Sequence, residues 1–259
     1  MNEINPPTQN SSQPPPIIRP VINRPSDLGG DPAERVPIKT IFGVIEAILR
    51  QPRRLLFQLR QPGAGRLIGG MLFTSLICGL IYGLIIGSFS GAEQWWAAPI
   101  KFTGGLFISS MICLPSLYIF AGLSGSTARL GEIFGFVAGL LLLMTVLLIG
   151  FAPVAWLFSQ STNSVFCMGF YHLMFWFVAT VFGLRFLDSG FRHTNASSGA
   201  GLKTWSVIFV LVVLQMSTAL RPLLGRADTF LPAEKKFFLT HWGYCSQDQG
   251  KNAKSNSSR

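Results

Sequence analysis

Charged side chains are scarce in this sequence. Asp, Glu, Lys and Arg make up 12% of its 259 residues, about half of the roughly 25% that is typical of soluble globular domains. From about residue 67 to residue 220 they almost disappear, so this stretch cannot supply the polar surface that a domain in water needs. The scarcity excludes an ordinary soluble domain and indicates that lipid is the main solvent.

Patterns that carry catalysis or metal binding are missing as well. The sequence contains no His-Glu-x-x-His, Gly-x-Ser-x-Gly or phosphate-loop motif, and no three His, Cys, Asp or Glu at metal-ligand spacing. Its four cysteines include no Cys-x-x-Cys pair. We therefore predict that the protein is not an enzyme and holds neither a metal nor a cofactor.

Basic residues are in excess, with a net charge of +10, but their positions do not indicate a nucleic-acid partner. Nucleic-acid binding needs basic residues gathered on one face among aromatic or hydrogen-bonding groups. Here the basic residues flank apolar runs, which is typical of membrane topology signals. The predicted partners are the lipid bilayer and either another membrane protein or a second copy of this chain.

Long apolar runs predict the fold. A spanning helix needs about 20 apolar residues, because a rise of about 1.5 Å per residue must cross about 30 Å of hydrocarbon. Four runs meet this length and a fifth is shorter. We predict an all-α polytopic transmembrane helix bundle of about five spans with a disordered N-terminal arm. The expected spans are 67–89, 102–122, 133–158, 165–186 and 204–220.

The segments outside the spans differ in composition. Residues 1–37 are rich in Pro and polar residues and are expected to form a disordered cytoplasmic arm without a cleaved signal peptide. Residues 38–66 are basic and amphipathic. They are either an interfacial segment that contacts lipid headgroups or an ordinary positive flank of the first span. Residues 221–259 form a polar tail.

The distribution of Lys and Arg predicts the orientation. With alternating spans, most of them lie on the same side of the membrane as the N-terminus. The loop 159–164, on the opposite side, carries no charge, and Lys101 stands near a helix end. The positive-inside bias therefore places the N-terminus in the cytoplasm, with a bacterial inner membrane as the expected location. Five crossings put the basic tail and Cys245 outside. If the fifth run is re-entrant or interfacial, the tail is cytoplasmic.

Small residues recur at intervals of four along two of the spans. Such spacing lets helix backbones approach closely, which drives helix association in lipid. We predict two packed faces, with a pore lined by bare backbone as the alternative. The residues are Ser75, Gly79, Gly83 and Gly87 in the first span, and Gly131, Gly135 and Gly139 in the third.

Few polar or helix-breaking residues lie within the spans. His172 and Gln215 are candidate intramembrane polar residues, and an interhelical hydrogen bond is the structural alternative to a functional role. Glu132 stands in the first turn of the third span, where it favours the positive end of the helix dipole. Pro115 and Pro153 either bend their helices or open a transporter-like site.

Three stretches resemble a family of multi-pass bacterial membrane proteins: Leu114 to Phe120, Ala152 to Ser159 with the following Ser161 and Thr162, and Gln215-Met216 followed by Leu220 to Gly225. The resemblance covers roughly residues 67 to 240 and implies a multi-pass helical fold. The layout also resembles Yip-type trafficking proteins, which have a cytoplasmic N-terminal arm and five spans. Neither resemblance implies catalytic residues.

Two function classes remain after these exclusions. The first is a non-enzymatic scaffold or accessory protein, favoured by the small-residue faces and the near absence of charge within the spans. The second is a small transporter or channel that uses the second and third spans, which contain proline. A membrane-embedded enzyme ranks third and would need polar residues that converge on His172.

Overall fold

The regular secondary structure of the described residues is helical. A computed structural model describes residues 28–90, 94–161, 165–194 and 200–219. It confirms the all-α prediction, since those residues contain no β-strand. Within these ranges, a short 3-10 helix at Pro32–Arg35 precedes seven α-helices. These are α1 (Ile41–Arg50), α2 (Pro52–Leu59), α3 (Gly65–Ser90), α4 (Gln94–Leu123), α5 (Leu130–Ser161), α6 (Val165–Arg192) and α7 (Ala200–Ala219).

Four of the helices are long and apolar enough to cross a membrane, and they are α3 to α6. They have 26 to 32 residues, about 39 to 48 Å, so each extends past a hydrocarbon core of about 30 Å. The shorter α7 has an apolar section of 17 residues, Ala200–Met216. The bundle predicted from the sequence is therefore present, with four full spans and α7 as the fifth candidate.

Cys245 follows α7 and lies outside the described residues, but its labelling decides whether α7 crosses the membrane. With the N-terminus inside and five crossings, a membrane-impermeant maleimide added to intact spheroplasts should label Cys245. Cys245→Ser should remove that label and serves as the control. Labelling that needs an opened membrane would place the tail inside and reduce the number of crossings to four.

Helix α5 is the central element of the bundle. It packs against α3 and α6 along its length and also contacts α1, α2 and α4. Residues 135–145 are all buried, and 72% of its most apolar stretch is covered, against 33–39% for α3, α4 and α6. A helix that is apolar all round belongs inside. Helices α1 to α4 and α6 therefore cover the buried section of α5.

Side-chain pairs define the direction of each neighbouring helix. The hydroxyl groups of Thr145 and Ser75 hydrogen bond at 3.2 Å, while Gly135 lies against Ile68. In both helices the first pair lies later in the chain than the second, so α3 and α5 run parallel. The ring of Phe136 packs on Phe191 and the ring of Phe151 on Phe175, so α5 and α6 run antiparallel, as consecutive spans must.

Helix α7 packs mainly on α4. Trp205 is fully buried there, and its indole N–H lies 3.0 Å from the carbonyl oxygen of Cys113 and 3.1 Å from the hydroxyl of Ser116. The first turn of α7 also lies close to α4, because Gly201 packs against Ser124. Trp205 therefore differs from Trp96, which is 80% exposed at the start of α4, where a membrane-interface tryptophan is expected.

The segment before the spans is folded onto the bundle. We call the 3-10 helix together with α1 and α2 the cap. Its apolar residues Leu55, Leu56 and Leu59 are buried in the same core as the spans, and Leu59 contacts Gly135 of α5. The structure therefore places much of the predicted interfacial segment in protein contacts. Part of the predicted arm also makes such contacts, because Glu34 of the 3-10 helix is buried and bonds to Arg53 of α2.

Basic residues gather at one end of the bundle, which we call the basic end. It carries the cap, the loop between α4 and α5, and the segment after α6. The guanidinium of Arg60 donates to the carbonyl of His193 at 3.0 Å, and the backbone N–H of Thr127 donates to Thr194. Its basic residues are Arg35, Lys39, Arg50, Arg53, Arg54, Arg60, Arg66, Arg129, Arg185, Arg192 and Lys203.

Candidate functional site

Tyr82 and His172 form a buried hydrogen-bonded pair inside the bundle. The hydroxyl of Tyr82 in α3 lies 2.8 Å from Nδ1 of His172 in α6, and the two rings meet edge to face. Tyr82 is 1% exposed and His172 8% exposed. Polar groups in lipid are expensive unless they are hydrogen bonded, so this pair explains how His172 is accommodated within its span.

Tyr82, His172 and Thr103 of α4 lie at about the same depth in the bundle. Tyr82 lies about 12 Å before the end of α3, His172 about 10 Å after the start of α6, and Thr103 about 13 Å after the start of α4, at about 1.5 Å per residue. All three ends are opposite to the basic end. The ring of Tyr82 also contacts Phe102, and Thr103 lies against Gly79 of α3. Three helices therefore contribute to one layer.

This layer contains hydrogen-bonding capacity that its neighbours do not use. Among the described residues, neither Nε2 of His172 nor the hydroxyl of Thr103 has a hydrogen-bond partner. If Tyr82 donates to Nδ1, then Nε2 carries the ring proton and is a donor; in the other tautomer Nε2 is an acceptor. In both cases the layer offers a polar atom to a small ligand or a water molecule.

Lys101 lies one residue before Phe102 and is buried with 2% exposure. The sequence pattern predicted that Lys101 stands near a helix end. The difference arises because α4 begins at Gln94, eight residues before the predicted span start, so Lys101 stands two turns inside the helix.

Sequence reasoning identified His172 but missed Tyr82 and Thr103. The available signal was weak: Tyr82 is the only tyrosine in the first predicted span and lies three residues after Gly79, on the packed side of the helix. Nothing in the local pattern connects it with a histidine 90 residues later. No cluster of three His, Cys, Asp or Glu able to hold a metal occurs within the ranges described above.

The small residues of α3 lie in close helix contacts. Ser75 bonds to Thr145, and a methyl group added at Gly79 would meet Thr103 at 3.0 Å. A methyl group at Gly83 would overlap the backbone of Pro99 in α4. Gly87 is also buried. The face therefore packs on α4 and α5.

The small residues of α5 are less uniform. A methyl group added at Gly139 would overlap the ring of Phe186, and one added at Gly135 would come within 2.8 Å of Leu59. Gly131 is exposed, with open space where a side chain would project. It is the second residue of α5, beyond the layer in which the other helices enclose that helix.

The remaining predicted residues lie on other surfaces of the bundle. Gln215 is exposed on α7, and Glu132 is half-buried in the first turn of α5. Both α4 and α5 continue as helices through Pro115 and Pro153, and both prolines are exposed. They therefore lie on the outer surface of the bundle. Pro99, which the sequence pattern did not mark, contacts α3 at Gly83.

A buried carboxylate holds the cap together. Glu34 accepts a 2.7 Å hydrogen bond from Nε of Arg53 and a second one from the backbone N–H of Gly29. Gly29 has a φ of +90° and lies under the ring of Phe57, a position that only glycine occupies without strain. Burial by itself raises the pKa of Glu34, but the two hydrogen bonds and the charge of Arg53 outweigh it, so the pKa is lowered.

The pKa of His193 is affected by the same charged residues. Burial, followed by the charges of Arg53 and Arg60, lowers its pKa despite the opposite effect of Glu34. The neutral imidazole is therefore favoured in the folded protein. For both groups the unfolded chain binds protons more readily than the folded one, so folding stability declines as the pH falls.

We expect the cap to lose stability on acidification. The loss should begin below about pH 6.5, the ordinary pKa of His193, and continue below about pH 4.5, that of Glu34. Glu34→Gln should reduce stability at pH 7 by about 1–3 kcal/mol and flatten the acid limb. Thermal unfolding from pH 7.5 to 4 measures both. Glu46→Gln, which changes an exposed carboxylate, is the control; an equal effect of both substitutions would contradict the prediction.

Comparisons of this chain with protein-family models, with curated proteins and with solved structures found no match. The resemblances stated above therefore stay predictions.

Proposed function

We propose that this integral membrane protein is a non-enzymatic scaffold or accessory protein. The observation that carries the proposal is the solid centre of the bundle. A channel or carrier needs a path for its solute near the bundle axis. Here that place is filled by α5, and residues 136–144 of its buried section are all apolar or glycine. The next residue, Thr145, is bonded to Ser75.

The cap supports the same proposal. Its apolar residues share one core with the spans, and Arg60 fastens it to the segment after α6 through the carbonyl of His193. Within the cap, Glu34 and Arg53 hold the 3-10 helix against α2. A rigid platform with exposed basic side chains at the membrane surface is suited to holding a partner in a fixed orientation. The partner can be another membrane protein or a second copy of this chain.

The basic end is proposed to face the cytoplasm of a bacterial cell, at the inner membrane. Apart from Lys101, every Lys and Arg in the described ranges lies at or near that end. The positive-inside bias assigns such an end to the cytoplasm, and the N-terminal segment then starts on that side.

A photo-crosslinking experiment in native membranes tests the scaffold role. A benzophenone amino acid replaces Gln61, an exposed residue that follows α2, and in a matched variant it replaces Ile119, which is 60% exposed on α4. A discrete protein adduct from position 61 that is missing from position 119 supports a partner at the cap. No protein adduct from position 61, or solute flux through liposomes that contain the purified protein, would overturn the proposal.

A small transporter is the second candidate, and the unused Nε2 of His172 favours it. If liposomes show solute flux, His172→Phe should abolish it, because the substitution keeps an aromatic ring and removes both ring nitrogens. Tyr171→Phe changes the neighbouring residue, whose ring stacks on Phe158, and should leave the flux intact. Flux that survives His172→Phe would exclude a role for the buried pair.

A further inference from the structure

Helix α1 has two apolar faces, and within the part of the chain that the structure describes only one of them is covered by protein. Val44, Ala47 and Ile48 are buried in the core, where α1 contacts α3 and α5. A second group projects away from the bundle, and we call it the outer face of α1. It consists of Ile41, Phe42, Ile45 and Leu49, of which Ile41 is 50%, Phe42 85% and Leu49 49% exposed.

These residues form one continuous stripe. At 100° per residue, Ile41, Ile45, Leu49 and Phe42 occupy an arc of about 100°. A basic residue stands at each end of the stripe: Lys39 just before α1, and Arg50 as its last residue. Lys39 is exposed. The side chain of Arg50 is 79% exposed and lies 3.9 Å from the carboxylate of Glu46.

The depth of α1 follows from its contacts. Helix α1 contacts α3 and α5, and Leu59 of the cap meets α5 at Gly135, which also lies against Ile68 of α3. Gly135 and Ile68 are about 7 Å and about 5 Å from the starts of α5 and α3. Helices of 26 and 32 residues extend beyond a hydrocarbon core of about 30 Å by several ångströms at each end. The cap therefore lies at headgroup level, and its outer face meets lipid from the side.

We propose that the outer face of α1 binds the anionic lipid surface of the leaflet at the basic end. Phe42 and Leu49 insert among the upper acyl chains, and Lys39 and Arg50 pair with lipid phosphates. Apolar insertion combined with basic residues is how interfacial helices recognise anionic membranes. A second copy fits less well, because one face of a ten-residue helix is far smaller than the roughly 800 Å² per partner of a stable interface. The inference goes beyond the scaffold role and does not depend on it.

Hydrogen exchange of the full-length protein in nanodiscs tests this directly. Backbone amides of residues 41–50 should exchange roughly tenfold more slowly in nanodiscs with 30% phosphatidylglycerol than in pure phosphatidylcholine, since each basic residue near an anionic surface adds to the binding. The difference should shrink in 0.5 M NaCl. Amides of residues 135–145 in α5 give the internal reference, because this section is buried by protein.

Two pairs of variants separate the contributions. Lys39→Gln with Arg50→Gln should remove the difference between the two lipids, whereas Arg192→Gln, a change to an exposed arginine of the basic end paired with Asp188, should preserve it. Phe42→Ser with Leu49→Ser should raise exchange of α1 in both lipids. Val36→Ser, which alters a residue 51% exposed outside α1, should not. If the serine variant does not fold, the glutamine variant still gives the answer.

Other occupants give different results, and each would overturn the proposal. Equal exchange of residues 41–50 in both lipids would show that anionic lipid is not recognised. Protection that rises with the number of protein copies per nanodisc would assign the outer face to a second copy. Protection by inorganic phosphate or soluble polyglutamate in phosphatidylcholine nanodiscs would assign it to a free anion or an acidic protein segment.

Discussion

Gly83→Ala is expected to lower the yield of folded protein in detergent sharply. The added methyl group would overlap the backbone of Pro99 in α4, and a backbone cannot move aside as a flexible side chain can. Overpacking of this kind costs about 1–3 kcal/mol in well-packed interiors. Because α3 and α4 associate without a hydrophobic driving force between them, close packing supplies much of their affinity.

Gly69→Ala is the matched control on the same helix. Gly69 is exposed and has no neighbouring atom within 4 Å of the position of the new methyl group. Both substitutions raise intrinsic helix propensity by up to about 1 kcal/mol, so the comparison isolates the steric effect. Thermal unfolding monitored by size-exclusion chromatography measures the difference. If Gly83→Ala is as stable as Gly69→Ala, then α3 and α4 do not approach as closely as the structure has them.

Trp205→Ala should release α7 from the bundle. The indole is fully buried, donates to α4 through its N–H and stacks on Phe209. Loss of a buried tryptophan costs about 3–5 kcal/mol in soluble cores, and α7 has few other neighbours, since it packs mainly on α4. Hydrogen exchange within residues 200–219 should therefore rise, while exchange within α5 should change little.

Two further variants separate ring packing from hydrogen bonding. Trp205→Phe retains an aromatic ring and loses the N–H, so its effect should be smaller, on the order of 1 kcal/mol. Trp96→Ala removes a tryptophan that is 80% exposed and should leave α7 protected. Unchanged exchange of α7 in Trp205→Ala would show that α7 is held by contacts other than this anchor.

The spans were predictable because their signal is local. A run of about 20 apolar residues has a single stable solution in lipid, which is a helix with all its backbone hydrogen bonds satisfied internally. The predicted starts and ends mostly lie within a few residues of those of α3 to α7. The start of α4 is the main exception: it begins at Gln94 rather than residue 102, because Trp95, Trp96 and Lys101 interrupt the apolar pattern without ending the helix.

The small residues of α3 show what a sequence pattern can and cannot predict about packing. Their spacing predicted a packed face, and the structure has α4 and α5 against it. Neither the neighbours nor the exposure of Gly131 followed from that spacing. In lipid, a side chain that faces a neighbouring helix and one that faces acyl chains are equally apolar, so sequence alone does not mark the partner.

The sequence by itself determined that this protein is a helical membrane bundle with its basic residues mostly on one side, because length, hydropathy and charge act residue by residue. Only the tertiary structure decided that Tyr82 meets His172, that Trp205 is an anchor for α7, and that α1 has a second apolar face turned away from the protein. These features depend on which surfaces meet across tens of residues. Packing geometry selects those surfaces, and no local pattern of apolar residues encodes it.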